Sequence, residues 1–523
     1  MSSEIVKSNK IAEKLRKQGF DSMQNGEIYE AILKFNESLC NAESDTKIMR
    51  TIYANRAETY FKLKIYDKCL NNIQLARDQN CLPDKMKSLD DLQEKCLEEF
   101  NEDQTTNENP WDFFKLSYPA NKRLPFVADC LEVKCDNKYG RHVITNKPLK
   151  VGDILAIEEP FFKIVKSDPE DNEYPMANIY VYCAYCLNDN LMDLIPCTEC
   201  LTTMFCSTRC QQEANKSFHK YECNYLEFLN NTGNWRMPLR NFFHSLSICD
   251  DSIEELEKLM IESDSESPTV YNYAMDDQRD PDTVKNHLKC MIGLARRVVV
   301  TVRNFSEFFT HHPLLSSAWC THQEFIKKFL KRMMQIEILN FHGIKGRSLD
   351  RNNPYRSSVG DGGYAFCSLL NHSCCSNVMR IVVENRMVVI VERPIKKGEQ
   401  IFDCYIGDSF YFKTKNSRHM ELMDYQFICD CEACTYDFPE LLTGALQACD
   451  KTLLHYAQQA YNELRNPKKK LTPMEARELA LKYSKIMQRC YRENNYPCRE
   501  IVLLELCTVK CFLMASKSNI SFP

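Results

Sequence analysis

The sequence predicts a multidomain α+β protein, with helical repeats at the amino end, a β-rich middle interrupted by a cysteine module and a helical insertion, and a helical carboxyl end. Three observations carry this expectation. The chain has 523 residues, more than one hydrophobic core organises, so about three or four domains are expected. Its apolar residues recur first at helical spacing, then alternate, then return to helical spacing. Its 28 cysteines are clustered rather than scattered.

Two amino-terminal segments resemble each other. "GFDSMQNGEIYEAILKF" (Gly19 to Phe35) and "AETYFKLKIYDKCLNNI" (Ala57 to Ile73) each begin on a small residue, place another (Ala31, Cys69) at the thirteenth position, and end on a large apolar one. Small residues at those points let antiparallel helices approach, and the apolar ones fill the seam. This is the tetratricopeptide pattern, offset here by 38 residues; a generic pair of helical hairpins is the plainer alternative. "DKMKSLDDLQEKCLEEF" reads as a solvating cap helix, and "NEDQTTNENP" as a polar linker. "LEVKCDNKYGRHVITNKPLKVGDILAIEEPFFKIV" then shows short alternating runs broken by turns. "IEELEKLMIE" and "HQEFIKKFLKRMMQIEILNF" are helical in pattern, "MRIVVENRMVVIVERPIKKGEQIFDCYI" returns to strands, and "MEARELALKYSKIMQRCY" to helix.

Composition narrows the functional classes. With 67 basic and 72 acidic residues the net charge is −5, so no strong polyanion-binding field is expected and nucleic acid is not the default partner. "MSSEIVKSNKIAEKLRKQ" lacks the apolar run of a secretion signal, and no stretch reaches the roughly 20 apolar residues that span a bilayer. A soluble protein of the cytoplasm and nucleus is expected, a reducing setting in which clustered cysteines bind metal rather than form disulfides.

The first cluster is Cys183, Cys186, Cys197, Cys200, Cys206, Cys210, His219 and Cys223. Eight soft ligands make two tetrahedral sites, and zinc prefers sulfur and imidazole without redox chemistry. With every position filled by protein, both sites are structural. The spacing resembles a MYND finger. That resemblance implies interleaved ligation, with Cys183, Cys186, Cys206 and Cys210 on one zinc and Cys197, Cys200, His219 and Cys223 on the other. It also implies contact with short proline-rich peptides. The finger's own cations (Arg209, Lys216, Lys220) are few.

The second cluster begins in "LLNHSCCSN" and continues in "ICDCEACTY". Cys429, Cys431 and Cys434 supply three thiolates and need a fourth ligand, for which Cys374 is the natural donor. A Cys374–Cys375 disulfide would close a strained ring; Cys375 reads as a small buried thiol. "NHSC", a strand pair, "GEQIFDCY" and the cysteine triplet follow one another in the order of a SET domain with its post-SET zinc. Together with the finger and the repeats, these motifs resemble the SET and MYND domain-containing lysine methyltransferases, in particular their tetratricopeptide-bearing branch.

The resemblance implies S-adenosylmethionine as cofactor, three structural zinc ions, and protein lysines, histone or non-histone, as substrate. It places Asn371 and His372 against the cofactor, with Ser368, Leu369, Asn340, Phe427 and the turn Lys138, Tyr139 and Gly140 also lining its site. Tyr405 and Tyr425 fall where the family keeps its pocket tyrosines, Tyr405 doubling as a cofactor contact. The chain departs from the family in a thinned glycine turn around Gly140 and in Ser376, where many relatives carry proline; serine loosens φ there but removes no ligand. The implied division is 1–100 helical repeats, 101–124 linker, 125–182 first SET part, 183–223 finger, 224–345 helical insertion, 346–412 SET core, 413–437 post-SET segment and 438–523 carboxyl-terminal helices. Chaperones or corepressors are the partners implied at the repeats. The competing expectation is a non-catalytic adaptor or corepressor scaffold on the same fold.

Overall fold

The computed structural model describes residues 6–44, 46–79, 86–99, 109–136, 138–166, 177–230, 236–265, 306–345, 358–406, 410–425, 427–441, 444–466, 471–493 and 496–516. The expected linker over 101–108 and the helical expectation over 266–305 lie outside the described residues.

Five helices open the chain: α1 (Asn9–Gln24), α2 (Ile28–Asn41), α3 (Lys47–Lys62), α4 (Tyr66–Arg77) and α5 (Met86–Glu99). The first four form two hairpins. A Cβ on Gly19 would lie 2.8 Å from the Phe35 ring, so only glycine lets α1 and α2 approach this closely. Ala31, Ala57 and Cys69 are fully buried along the seams. Leu89 and Cys96 of α5 are buried as well, so this helix closes the stack on its inner face.

Among the described residues, twelve strands follow. β1 (Leu131–Asp136) and β2 (Gly140–Thr145) make a hairpin; β3 (Ile154–Glu158) and β4 (Phe162–Val165) belong to separate sheets. β5 (Ile195–Pro196) and β6 (Met204–Phe205) pair within the cysteine module. After α6 (Arg236–Ile248), α7 (Ile253–Ser265) and α8 (Ser316–Asn340) come β7 (Phe341–Lys345) and β8 (Ser358–Gly363), which join β4 in the order β4-β8-β7. The helical insertion expected to reach residue 345 therefore ends at Asn340, and "FHGIK" is a strand. Its residues gain a full ladder with the glycine-rich β8, where a Cβ on Gly360 would sit 2.1 Å from the Ile164 carbonyl oxygen.

β9 (Asn371–His372), β10 (Val378–Val383), β11 (Arg386–Val391) and β12 (Phe402–Asp403) complete the strands. The sheet β10-β11-β3 is covered on both faces, and β11 shows how. Met387, Val389 and Val391 face one core with the amino-terminal helices and the finger. Val388 and Ile390 face a second core with the carboxyl-terminal helices α9 (Lys451–Arg465), α10 (Pro473–Glu493) and α11 (Arg499–Ala515). An unbroken apolar run is what a strand buried on both faces requires, since successive side chains point to opposite sides.

Two segments are packed where free chain was expected. Residues 109–124, read as the end of a linker, dock against the sheet and α11. Phe114 is buried, its ring 6.4 Å from that of Phe512, and the Tyr118 hydroxyl donates to Asp153 at 2.7 Å. The amino-terminal helices, read as an arm beyond that linker, lie on the cysteine module through buried polar contacts. Arg56 pairs with Asp193 at 2.5 Å and donates to the Leu194 carbonyl at 2.7 Å. Asn36 donates to the carbonyls of Tyr180 and Met192, and the Tyr60 hydroxyl to that of Leu191. Burial of these groups requires partners, and the finger loop supplies them. Among the described residues no helix is long and apolar enough to cross a membrane.

Candidate functional site

The site is assembled by short pieces of backbone. Asp136 accepts the N–H groups of Lys138 and Tyr139, closing the β1–β2 turn. Gly140 ends it at φ +60, a left-handed conformation that favours glycine. The turn thereby aims the Tyr139 and Arg141 carbonyls at the Asn371 amide, which donates to both at 3.1 and 3.3 Å. β9 and β12 run parallel, with Asn371 opposite Phe402 and His372 opposite Asp403. That single pairing joins "NHSC" to "GEQIFDCY". Asn377 locks it, accepting from the Phe402 N–H and donating to the Gln400 carbonyl.

His372 is buried, and its Nδ1 accepts the Tyr405 N–H at 2.9 Å. Burial pushes its pKa down to about 4, so the ring is neutral near pH 7. The Tyr405 hydroxyl donates to the Leu370 carbonyl at 2.8 Å. Its ring lies 4.9 Å from that of Tyr425 and 5.2 Å from that of His372. Phe427 stands 5.9 Å from the His372 ring. The Ser368 hydroxyl donates to the carbonyls of Asn340 and Tyr364, tying the end of α8 to the approach to β9.

These side chains surround one cavity of about 900 Å³, within the range of small-molecule sites. Lys138, Tyr139, Asn340, Ser368, Leu369, Asn371, His372, Tyr405, Tyr425 and Phe427 all line it. Gly140 does not; it shapes the turn from outside. Lys138 reaches Asp430 at 3.5 Å across the mouth, an exposed pair worth little in stability.

Below the cavity, Cys374, Cys429, Cys431 and Cys434 come together, with Cys374 Sγ 3.9 Å from Cys429 Sγ and 3.6 Å from Cys434 Sγ. In the finger, Cys183, Cys186, Cys206 and Cys210 form one group, with Cys206 Sγ 3.5 Å from the sulfurs of Cys186 and Cys210. Cys197, Cys200, His219 and Cys223 form the other, His219 Nε2 lying 3.2 Å from Cys197 Sγ. A tetrahedron with metal–sulfur bonds of about 2.3 Å has edges of about 3.8 Å. The sulfur spacings match that figure, so all three groups fit a zinc ion. Local structure presents the ligands. Ser207 caps the short helix Thr208–Ala214 that carries Cys210, and a π-helical turn over Asn215–His219 swings His219 inward.

Sequence reasoning missed the groups that hold this framework from outside. Glu158 accepts the N–H groups of Phe366 and Cys367, fixing the approach to β9. Arg380 pairs with Asp403 at 2.6 Å, both largely buried. Arg393 donates to the carbonyls of Cys375 and Ser376, so the turn that lacks proline at Ser376 is held by an arginine instead. Arg418, fully buried, donates to the Ala433 carbonyl beside Cys434. Each is an ordinary charged residue in its local sequence and carries no motif.

A mixed helix-and-sheet frame enclosing such a cleft and such cysteine groups defines a class: the chain belongs to the SET domain family, whose model matches residues 140–406, just over half of it. It is similar to protein-lysine N-methyltransferase SMYD4 of Danio rerio, at 23% identity over 42% of this chain and 30% of that one. It resembles the Homo sapiens SMYD4 at 20% identity over 82% of this chain and 67% of that one. Histone-lysine N-methyltransferase SMYD3 of Homo sapiens is 25% identical over 68% and 69%. The aligned region thus spans less than a third of the zebrafish protein and about two thirds of the human SMYD4.

Proposed function

We propose that this protein is a protein-lysine N-methyltransferase using S-adenosylmethionine, acting on histone or non-histone lysines. The carrying observation is the β9–β12 pairing, which gathers Asn371, His372, Tyr405, Tyr425 and Phe427 around one cavity. When bound, S-adenosylmethionine supplies an electrophilic methyl on a sulfonium. Asn371 and His372, with the Lys138–Tyr139 turn, Asn340, Ser368, Leu369 and Phe427, would hold it. Tyr405 and Tyr425 flank the incoming lysine. Their ring faces tolerate its cationic forms, and burial of the amine between them would favour the neutral form that attacks. Bound there, the cofactor would supply the methyl that the lysine nitrogen takes, and would leave as S-adenosylhomocysteine. The Tyr405 hydroxyl orients amine and methyl, a positioning task.

In this reading the three cysteine groups carry structural zinc, residues 183–223 are a MYND finger open to proline-rich peptides, and residues 1–100 are tetratricopeptide repeats for chaperone or corepressor partners. The domain limits follow the division at 125–182, 346–412, 413–437 and 438–523, with the helical insertion from 224 ending at Asn340. A zinc ion held by Cys374, Cys429, Cys431 and Cys434 would order the segment from Phe427 to Glu432 that lines the cleft, which would couple metal to cofactor affinity.

The test is calorimetry with S-adenosylmethionine, followed by single-turnover transfer of labelled methyl to a lysine-rich protein extract. Tyr405→Phe is expected to slow transfer by roughly one to three orders of magnitude while changing cofactor affinity far less. Equal labelling by parent and variant removes Tyr405 from the mechanism. Absence of both binding and labelling in the parent sinks the enzyme reading and leaves the adaptor.

A further inference from the structure

Away from the cleft and the three cysteine groups, the starts of α9 and α11 meet at a fourth set of ligating atoms. Cys498 is the residue before α11, and Glu500 lies in its first turn; both are buried, Glu500 completely. Cys449 stands just before Asp450, whose carboxylate caps α9 by accepting the N–H groups of Thr452 and Leu453. The sulfurs of Cys449 and Cys498 and a carboxylate oxygen of Glu500 all lie within 4.8 Å of one another.

The carboxylate is unevenly satisfied. Glu500 Oε1 accepts two backbone N–H groups, from Cys449 and Asp450, each at 2.7 Å. These fix the side chain across the helix junction. Oε2 is buried with no hydrogen-bond partner. Leaving such an oxygen unpaired is costly, and more so for a charged group, so something is expected to meet it.

We propose that Cys449, Cys498 and Glu500 form a fourth metal site, for a thiophilic divalent cation of the zinc class. Two thiolates and one carboxylate suit that cation and disfavour magnesium or calcium, which require shells of oxygen. A disulfide between the two cysteines would consume both sulfurs and leave the carboxylate as it is; a cation gives both sulfurs and the carboxylate a partner. Unlike the cysteine groups of the finger and the cleft, this one offers three protein ligands. Its fourth position opens on the side of Cys449, which is exposed, so the ion is exchangeable. Bound there, it clamps the start of α9 to the start of α11 and holds the carboxyl-terminal helices in register.

The experiment uses the full chain, prepared under reductant, saturated with zinc and freed of excess. Metal per chain is compared between the parent and Cys449→Ala, chosen because Cys449 is exposed and its loss leaves the core intact. The expected result is one ion fewer in the variant, with the same circular dichroism. A graded chelator should remove one ion from the parent before the rest, and that first step should be missing in Cys449→Ala and in Glu500→Gln. Cobalt substitution should show weaker thiolate-to-metal absorption in Cys449→Ala than in the parent. Equal metal content in parent and Cys449→Ala overturns the proposal. So does a Cys449–Cys498 disulfide found by mass spectrometry in the metal-saturated parent.

Discussion

The molecule has two helical flanks, and the contacts of α3 at one differ in kind from those of α11 at the other. At the amino end, α3 meets the finger through a buried ion pair, Arg56 with Asp193, whose carboxylate also accepts Asn71 and Asn72 at 2.7 and 2.8 Å. At the carboxyl end, α11 meets the sheet through apolar surface, with Ile501, Val502 and Leu504 fully buried and Phe512 packed on Phe113 and Phe114. The difference concerns tolerance. An apolar contact loses stability in proportion to the area removed. A buried charge loses far more when its partner goes, because it has been taken out of water and is left with nothing.

The sharpest way to break the comparison is Arg56→Met. It strands Asp193, and a destabilisation of about 3–5 kcal/mol is expected, read by denaturant unfolding and by new proteolysis between the helices and the finger. Adding Asp193→Leu should restore most of that loss, since a packed apolar pair costs little relative to a buried ion pair. If the double variant is no more stable than the single one, the network is not the attachment. For the same reason, deleting residues 1–100 is expected to destabilise the finger, not to release an independent arm.

On the other flank Phe512→Leu is expected to cost about 1–2 kcal/mol, with no second substitution that rescues it. A loss as large as that of Arg56→Met would mean that the carboxyl-terminal helices are just as intolerant, and the contrast would fall.

The smallest expected effect is on pH. Where the carboxyl flank meets the sheet lie two buried acids, Glu392 at the exit of β11 and Glu505 of α11, raised to about 8 and about 7 by burial and, for Glu392, by repulsion from Glu505. Arg393 lowers both but cannot neutralise two carboxylates. A raised carboxyl pKa means that the folded state holds protons the unfolded chain has released, so stability falls as pH rises from the unfolded value toward the folded one. The melting temperature should therefore drop between about pH 6 and about pH 8. Glu392→Gln should flatten that drop, because the carboxyl with the higher raised pKa no longer titrates, while Glu505, raised by burial, still does. An unchanged slope would show that Glu392 does not contribute to the drop.

Much of the site was readable in one dimension because its ligands are local. Cys183 with Cys186, Cys206 with Cys210 and His219 with Cys223 stand three or four residues apart, spacings that a turn or a helix converts directly into neighbouring ligand atoms. "NHSC" and "GEQIFDCY" were legible through the family resemblance, and the apolar, β-branched runs of β10 and β11 read as strands. Where the period misled, a partner strand decided. Phe341–Lys345 continues a helical pattern in sequence yet forms β7, since β8 offers it a ladder of hydrogen bonds.

Other features depended on tertiary structure alone. Arg56 meets Asp193 across 137 residues, and Glu500 reaches Cys449 across 51. Trp111 lies under Arg386, with 4.6 Å between the guanidinium carbon and the ring centroid, turning an expected linker into a packed edge. Arg393 grips the Cys375–Ser376 turn from a strand exit that looks unremarkable in its local context. Short-range spacing determines ligand groups and strand periods because chain geometry alone brings those atoms together. A buried charge or an orphaned carboxylate has no local signature, because only the folded surroundings set its desolvation and supply its partner.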